Sequence, residues 1–310
     1  MASKIDVDIK QLLQSGAHFG HKTSRWHPKM APYIHSKKNG SHIIDLTTTV
    51  EKLEVALDFL TETAAAGKQI LLVSTKPQAQ AVIKQTAEEL GMPYVVERWL
   101  GGMLTNQNTI GGRIKYLKSL EEKMANGELA NKYNKLEVQR FAEEIEEMNH
   151  LYGGIKDMHA KLGAVFVIDV TTDVNAVREA NKLGVPVVGL ADTNADPTGL
   201  TYFVPCNDDA TKAITLVVEY VKQAIVAGKA RAKDAAPAVE APKSAVPDIA
   251  KKSVTEEPKA EEPKTEATEA KTDEKVKEQE VKEEKSKPEA KKSTTKKATA
   301  KKEAVKKEEK

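Results

Sequence analysis

The residues that could do chemistry fall into two groups at opposite ends of the ordered-looking part of the chain. Five histidines crowd the first 42 positions, namely His18, His21, His27, His35 and His42. The His18-x-x-His21 pair could open a metal cluster, since imidazole is the commonest metal-binding side chain. The spacing matches no standard zinc motif, and the lone Cys206 supplies no thiolate partner. The plainer alternative is a basic arm whose imidazoles stack or hydrogen-bond. Near the other end stand Asp192, Asp208 and Asp209. If the loops carrying them converge at the carboxyl edge of a sheet, those carboxylates could hold a hard divalent cation. The alternative is a turn at Asp192-Thr193-Asn194 and a helix cap at Asp208. No cofactor is expected beyond a possible structural divalent cation at Asp192 and Asp208.

Phosphate chemistry needs glycines where a strand turns into a helix, so that backbone amides can approach the anion. The candidate turns read Asp45-Leu46-Thr47-Thr48-Thr49 and Ser74-Thr75-Lys76-Pro77, with no glycine. Neither a G-x-x-x-x-G-K-[ST] loop nor a G-x-S-x-G elbow occurs. The pairs Gly101-Gly102, Gly111-Gly112 and Gly153-Gly154 read more simply as tight turns or close approaches. An enzyme dependent on a nucleotide or a metal is therefore the second reading.

Charge distribution points elsewhere. Between Ile9 and Ile44 there is no acid, yet Lys10, Lys22, Arg25, Lys29, Lys37 and Lys38 occur with Phe19, Trp26 and Tyr33 among them. A second acid-free window, Arg98 to Leu120, holds Arg98, Arg113, Lys115 and Lys118 beside Trp99 and Tyr116. Cationic side chains neutralise phosphates and release counterions, and aromatic rings stack on unpaired bases. The expected nucleic-acid contacts are Lys22, Arg25, Trp26, His27, Lys29, Lys37, Lys38, Arg98, Arg113 and Lys115. For Trp26 and Trp99 a role as core anchors is equally open.

These residues need elements to place them. A short helix is expected before Gly16, with Asp8 as its N-cap, followed by an irregular arm over residues 17–42. Ile43 and Ile44 suggest a first strand. Asp45 can cap a helix with Val50, Leu53, Leu57 and Leu60 on one face. Apolar runs at Gln69–Ser74, Tyr94–Val96, Ala164–Ile168, Val185–Leu190 and Tyr202–Val204 alternate with helices at Pro77–Leu90, Asp173–Leu183 and Asp208–Ala227. Such alternation specifies an α/β doubly wound parallel sheet. An antiparallel helical hairpin, residues 107–155, interrupts it. Its seam would be Ile110, Ile114, Leu117 and Met124 against Val138, Phe141, Ile145, Met148 and Tyr152.

Composition breaks near residue 230. Residues 231–310 carry 22 basic and 19 acidic residues without one aromatic, and all fourteen aromatics lie before them. That composition cannot bury a core, so a disordered tail is expected after an α/β domain over 1–230. A single cysteine suits a reducing compartment. No signal peptide is expected from the N-terminal residues, and no uncharged apolar run is long enough to cross a membrane.

Several stretches then carry a resemblance. Ser15-Gly-Ala-His-Phe-Gly-His21, Arg25-Trp-His-Pro-Lys-Met30, Arg98-Trp-Leu-Gly-Gly-Met-Leu-Thr-Asn106, Gly153-Gly-Ile-Lys-Asp-Met158, Ala191-Asp-Thr-Asn-Ala-Asp-Pro197 and Val204-Pro-Cys-Asn-Asp-Asp-Ala210 are similar to the bacterial small-subunit ribosomal protein number two family. The similarity runs in order through nearly all of 1–230. It implies a flavodoxin-like α/β domain with a coiled-coil hairpin. It also implies a non-catalytic constituent of the 30S particle, cytoplasmic and ribosome-bound. Implied partners are small-subunit ribosomal RNA and neighbouring ribosomal proteins, including the large mRNA-binding protein number one; no membrane and no homo-oligomer is implied. Cys206 stands where the family often has glycine, and Ala31 where relatives often have lysine. The tail lies outside the resemblance.

Overall fold

Two strands of unbroken apolar character set the layering. Ile70–Val73 (β4) and Ala164–Val167 (β6) are buried at every residue, as strands covered on both faces by helices must be. The computed structural model describes residues 5–235. In chain order the elements are α1 (Ile9–Ser15), β1 (Phe19–Lys22), β2 (Ile34–Lys38), β3 (Ser41–Ile44), α2 (Leu46–Ala65), β4, α3 (Pro77–Leu90), β5 (Tyr94–Val95), α4 (Gln107–Ala125), α5 (Glu128–Lys132), α6 (Lys135–Tyr152), β6, α7 (Val174–Lys182), β7 (Val187–Ala191), β8 (Tyr202–Pro205) and α8 (Thr211–Ala235).

The central sheet runs β5-β4-β6-β7-β8, and each neighbouring pair is parallel. Counted from β4, that is the 2-1-3-4-5 order of a doubly wound sheet. Alternate residues serve alternate faces. Ile70, Leu72, Phe166 and Val188 join Leu53, Leu57, Leu60, Ile83, Ile214, Val217 and Val221 in one apolar cluster. Leu71, Val73, Val165, Val167 and Val187 join Val177, Ala180, Trp99, Met103 and Met30 in the other. Helices α1, α2, α3 and α8 thus cover one face, while α7 and the segment after β5 cover its opposite.

Local chemistry marks the boundaries. Asp8 and Asp45 cap α1 and α2 by accepting from Lys10 N and Thr47 N. Gly16 and Gly91 close α1 and α3 in the left-handed conformation, where a side chain would be strained.

Three expectations need correction. Ile43 and Ile44 do not begin the parallel sheet. They lie in β3 of a separate antiparallel sheet of order β1-β3-β2, so the arm over 17–42 is folded and not irregular. Asp208 does not cap the last helix, which starts at Thr211; its carboxylate instead accepts from Lys76. Between β5 and β6, α4, α5 and α6 pack on one another, but burial falls on Ile110, Leu117, Leu120, Leu129 and Met148. Val138, Phe141, Ile145 and Tyr152 are only half-buried. Helix α8 runs on to Ala235; the expected tail beyond it lies outside the described residues.

Phe141 contacts Tyr133 edge-on, with ring centroids 5.1 Å apart. Being half-buried, it should lose about 1–2 kcal/mol on Phe141→Ala, against the ~3–5 of a fully enclosed ring. Urea unfolding of that variant checks the figure, and a loss above the larger value would place the ring in a closed seam.

Candidate nucleic-acid interface

The arm is built by turn chemistry. Asn39 and Gly40 both take positive φ, 52° and 77°, as a two-residue hairpin between β2 and β3 requires. That turn sets Lys37 and Lys38 on the exposed end of β2. Lys22 and Arg25 are exposed at and beyond the end of β1. Trp26 is 41% exposed with its ring 5.5 Å from that of His42, so it presents a face on which a base could stack. His27 and Lys29 are turned inward on the protein itself. The His27 ring accepts from Lys29 N at 3.3 Å, and Lys29 Nζ pairs with Asp196 at 3.1 Å. Thr198 and Lys29 together hold Asp196 down to about 2. Lys29 is therefore not a free cation.

In the second window Arg98, Arg113 and Lys115 are exposed, while Lys118 pairs with Asp157 at 2.8 Å. Trp99 is a core anchor, 8% exposed, and it shares an apolar cluster with Met30 of the first window. The two windows are thus tied to the same side of the sheet. The second window is also tied to Glu179 of α7. Its carboxylate accepts from Trp99 Nε1 (3.1 Å) and from the amides of Gly102 (2.8 Å), Leu104 (3.0 Å) and Thr105 (3.3 Å). Burial works to raise this carboxyl, but those donors outweigh it and hold it below its ordinary value.

The third constellation lies at the carboxyl edge of the parallel strands. Lys76 follows β4, Asp169 follows β6, Asp192 follows β7 and Asp208 follows β8. Lys76 Nζ reaches Asp208 at 2.7 Å, Asp209 at 2.6 Å and Asp169 at 3.5 Å. Burial opposes the Lys76 charge, but Asp208 and Asp209 more than offset it and raise Lys76 well above its usual range. Burial, with the charges of Asp169 and Asp192, pushes Asp208 up to about 7. His21 of β1 completes the group, with Nδ1 3.0 Å from Asp192 and Nε2 3.5 Å from Asp209. Asp192 holds His21 above its ordinary value. The other histidines disperse. His18 and His42 are lowered, chiefly by burial, and His35 is exposed on β2.

This edge, where open α/β sheets take their ligands, is covered by the arm. Gly20 of β1 lies so close to Thr193 that an added Cβ would sit 2.7 Å from its methyl. His21 N donates to Thr193 Oγ1 (3.0 Å), His27 N to the Thr193 carbonyl (2.7 Å) and Asn207 N to the Ala17 carbonyl (3.0 Å). The crevice is filled by the protein's own chain and bridged by its own lysine.

Residues 12–228 match the family described as Ribosomal protein S2. The chain belongs to that family. It is 48% identical over 225 residues to "Small ribosomal subunit protein uS2" of Roseiflexus sp. (strain RS-1), covering 73% of this chain and 86% of the relative. The protein of the same name from Chloroflexus aggregans is 45% identical over 225 residues, 73% of this chain and 94% of the relative. The one from Coprothermobacter proteolyticus is 45% identical over 223 residues, 72% and 83% respectively. The family match covers the second basic window, the first from Leu12 onward and the edge cluster, and ends within α8.

Reasoning from sequence missed Lys76, Asp169, Thr193 and Glu179. The first two were within reach, since each stands just past the end of an apolar strand, where loops converge. Nothing in the sequence marks Glu179, whose role exists only because α7 passes the loop after β5.

Glu179→Ala should cost about 2–3 kcal/mol by leaving several amides unmatched. Because the folded carboxyl is lowered, its contribution is full above the ordinary value of 4.5 and is lost as the pH falls below it. The variant and parent should therefore converge in stability on acidification, which unfolding at pH 7 and pH 4 would reveal. Gly20→Ala should cost about 1–3 kcal/mol by driving β1 off Thr193, seen as faster amide exchange at His21.

Proposed function

We propose that the two acid-free windows form the face through which this chain binds small-subunit ribosomal RNA. Membership of the family makes the chain a structural constituent of the small ribosomal subunit, ribosome-bound and cytoplasmic, and not an enzyme. The observation that supports the RNA face is that each window of exposed cations has a buried residue, Met30 or Trp99, in the same apolar cluster. Lys22, Arg25, Lys37, Lys38, Arg98, Arg113 and Lys115 would neutralise phosphates. Trp26 would stack on an unpaired base, with His27 beside it. Lys29 would act indirectly, by holding the loop at Asp196.

The segment 107–155, read as a coiled-coil hairpin, meets protein through its α6 side, leaving Arg113 and Lys115 of α4 to RNA. Supporting this is an α6 surface carrying exposed Glu143, Glu146 and Glu147. Neighbouring small-subunit proteins, with the large mRNA-binding protein number one among them, are its proposed partners.

Salt-dependent binding to small-subunit RNA tests the reading. Lys22→Ala with Arg25→Ala should flatten the slope of log K against log salt by about 0.7–0.9 for each lost contact. Lys29→Ala should change it less, since Asp196 already takes that charge. Trp26→Ala should weaken binding by about 1–3 kcal/mol at every salt concentration, the signature of lost stacking. An unaltered slope in the double variant would turn this face toward water or protein.

A further inference from the structure

Helix α4 leaves one aromatic ring in the open. Its buried contacts are made by Ile110, Leu117 and Leu120, while Tyr116 stays 42% exposed. Exposed Thr109, Gly112 and Arg113 precede it on the same helix face, at the three- and four-residue spacing that makes side chains neighbours. Lys115 is exposed next to it, and no acid stands between Arg98 and Leu120. The ring is also held. Burial, then the charge and hydrogen bonding of Glu144 of α6, raise the phenol above its ordinary value, with Arg113 opposing them. Glu144 is half-buried, unlike the outward Glu143, Glu146 and Glu147. An aromatic ring fixed from one side has little freedom left to lose when a flat partner settles on it.

Gly111 and Gly112 supply an independent observation. Both lie inside α4, where glycine is the costliest residue after proline. Neither has the positive φ that would call for it, and a Cβ added at either would meet nothing within 4 Å. Packing among the described residues therefore does not require them. What they leave is bare helix backbone one turn before Tyr116, where another backbone can come close.

We propose that Tyr116 is a stacking platform for an unpaired base of small-subunit ribosomal RNA, and that the sugar–phosphate chain carrying that base runs over Gly111 and Gly112 toward Arg113. This rests on reading the second window as an RNA face. An exposed tyrosine also suits a protein partner, but cations on an acid-free strip favour a chain of phosphates.

The test measures binding of the full chain to small-subunit ribosomal RNA across a salt series, with Tm as the check on folding. Tyr116→Phe keeps the ring and should bind within about threefold of the parent. Tyr116→Leu keeps the apolar bulk but not the ring, and should lose about 5–100-fold at every salt concentration with the slope unchanged. Gly112→Ala should raise Tm by about 2–4 °C and yet weaken binding severalfold, opposite signs that a structural glycine would not give. Arg113→Ala with Lys115→Ala should flatten the slope by about 0.7–0.9 for each lost contact. If that double variant behaves so while Tyr116→Leu binds as the parent does, the RNA face stands and the platform is overturned. If the slope is unchanged as well, the second window does not meet RNA and both readings fall. Gly112→Ala binding as tightly as the parent overturns the close approach of the backbone.

Discussion

A single ammonium group holds the carboxyl edge of the central sheet together. Lys76 sits where the strand order reverses, between the loops that follow β4 and β6, and it also spans to the loop after β8. Its side chain is largely buried, and its neighbours are carboxylates of which Asp169 and Asp208 are buried too. Charges so placed are costly to desolvate, and they persist because each finds a partner. Removing the ammonium would leave those carboxylates unpaired, a loss of about 3–5 kcal/mol for a buried pair broken on one side. Asp169 shows how close the balance is. Burial raises it, yet the Thr171 and Thr172 donors and Lys76 bring it below its ordinary value. Asp208, with fewer donors, is not so rescued.

That ionic knot explains why the arm folds where it does. Of the large apolar side chains of β1 and β3 only Ile44 is buried, and a small antiparallel sheet is marginal in water without something to pack on. The arm obtains its anchor from Met30, which is fully buried among Trp99, Met103 and the strands, and from its hydrogen bonds to Thr193. The motif residues around His18–His21 and Asp192–Asn194 thus act on one another: the first closes the crevice that the second lines. A doubly wound sheet normally leaves that crevice open for a ligand. Here the protein's own chain fills it, and the exposed surface shifts outward to the cations of β1 and β2.

How much of this was legible in the residue pattern varied with the range of the interaction. The parallel strands were legible because their apolar runs are local, and α1, α2 and α3 because Asp8, Asp45, Pro77, Gly16 and Gly91 mark their ends. The arm was misread as irregular although Asn39-Gly40 is a strong hairpin signal. Its flanking strands lack apolar alternation, since β2 is exposed along four of its five residues. Between β5 and β6 stand three helices, α4, α5 and α6, and burial reaches Leu120 and Leu129, the latter in α5, a helix that a two-helix seam leaves out. Among the site residues, exposure of Lys22, Arg25, Lys37, Lys38, Arg98, Arg113 and Lys115 followed from polarity alone. The diversion of Lys29 onto Asp196 did not, because it joins positions 167 residues apart.

Glu179 completes the picture of how rigid parts hold an adaptable face. A carboxylate that accepts from three loop amides and an indole nitrogen does for the segment after β5 what a bound anion does in a phosphate loop. The double glycine Gly101-Gly102 reads in the sequence as a tight turn, and its neighbourhood is also an anion cradle, with the anion supplied by α7 of the same chain. Gly102 has φ 87° there, and its amide is one of the donors. The consequence for function is geometric. Arg98 and α4 flank a segment that Glu179 of α7 ties down, so the proposed second basic window would be set in place before any nucleic acid arrived. Binding by a face already ordered costs less entropy than binding by a loop that must first find its shape.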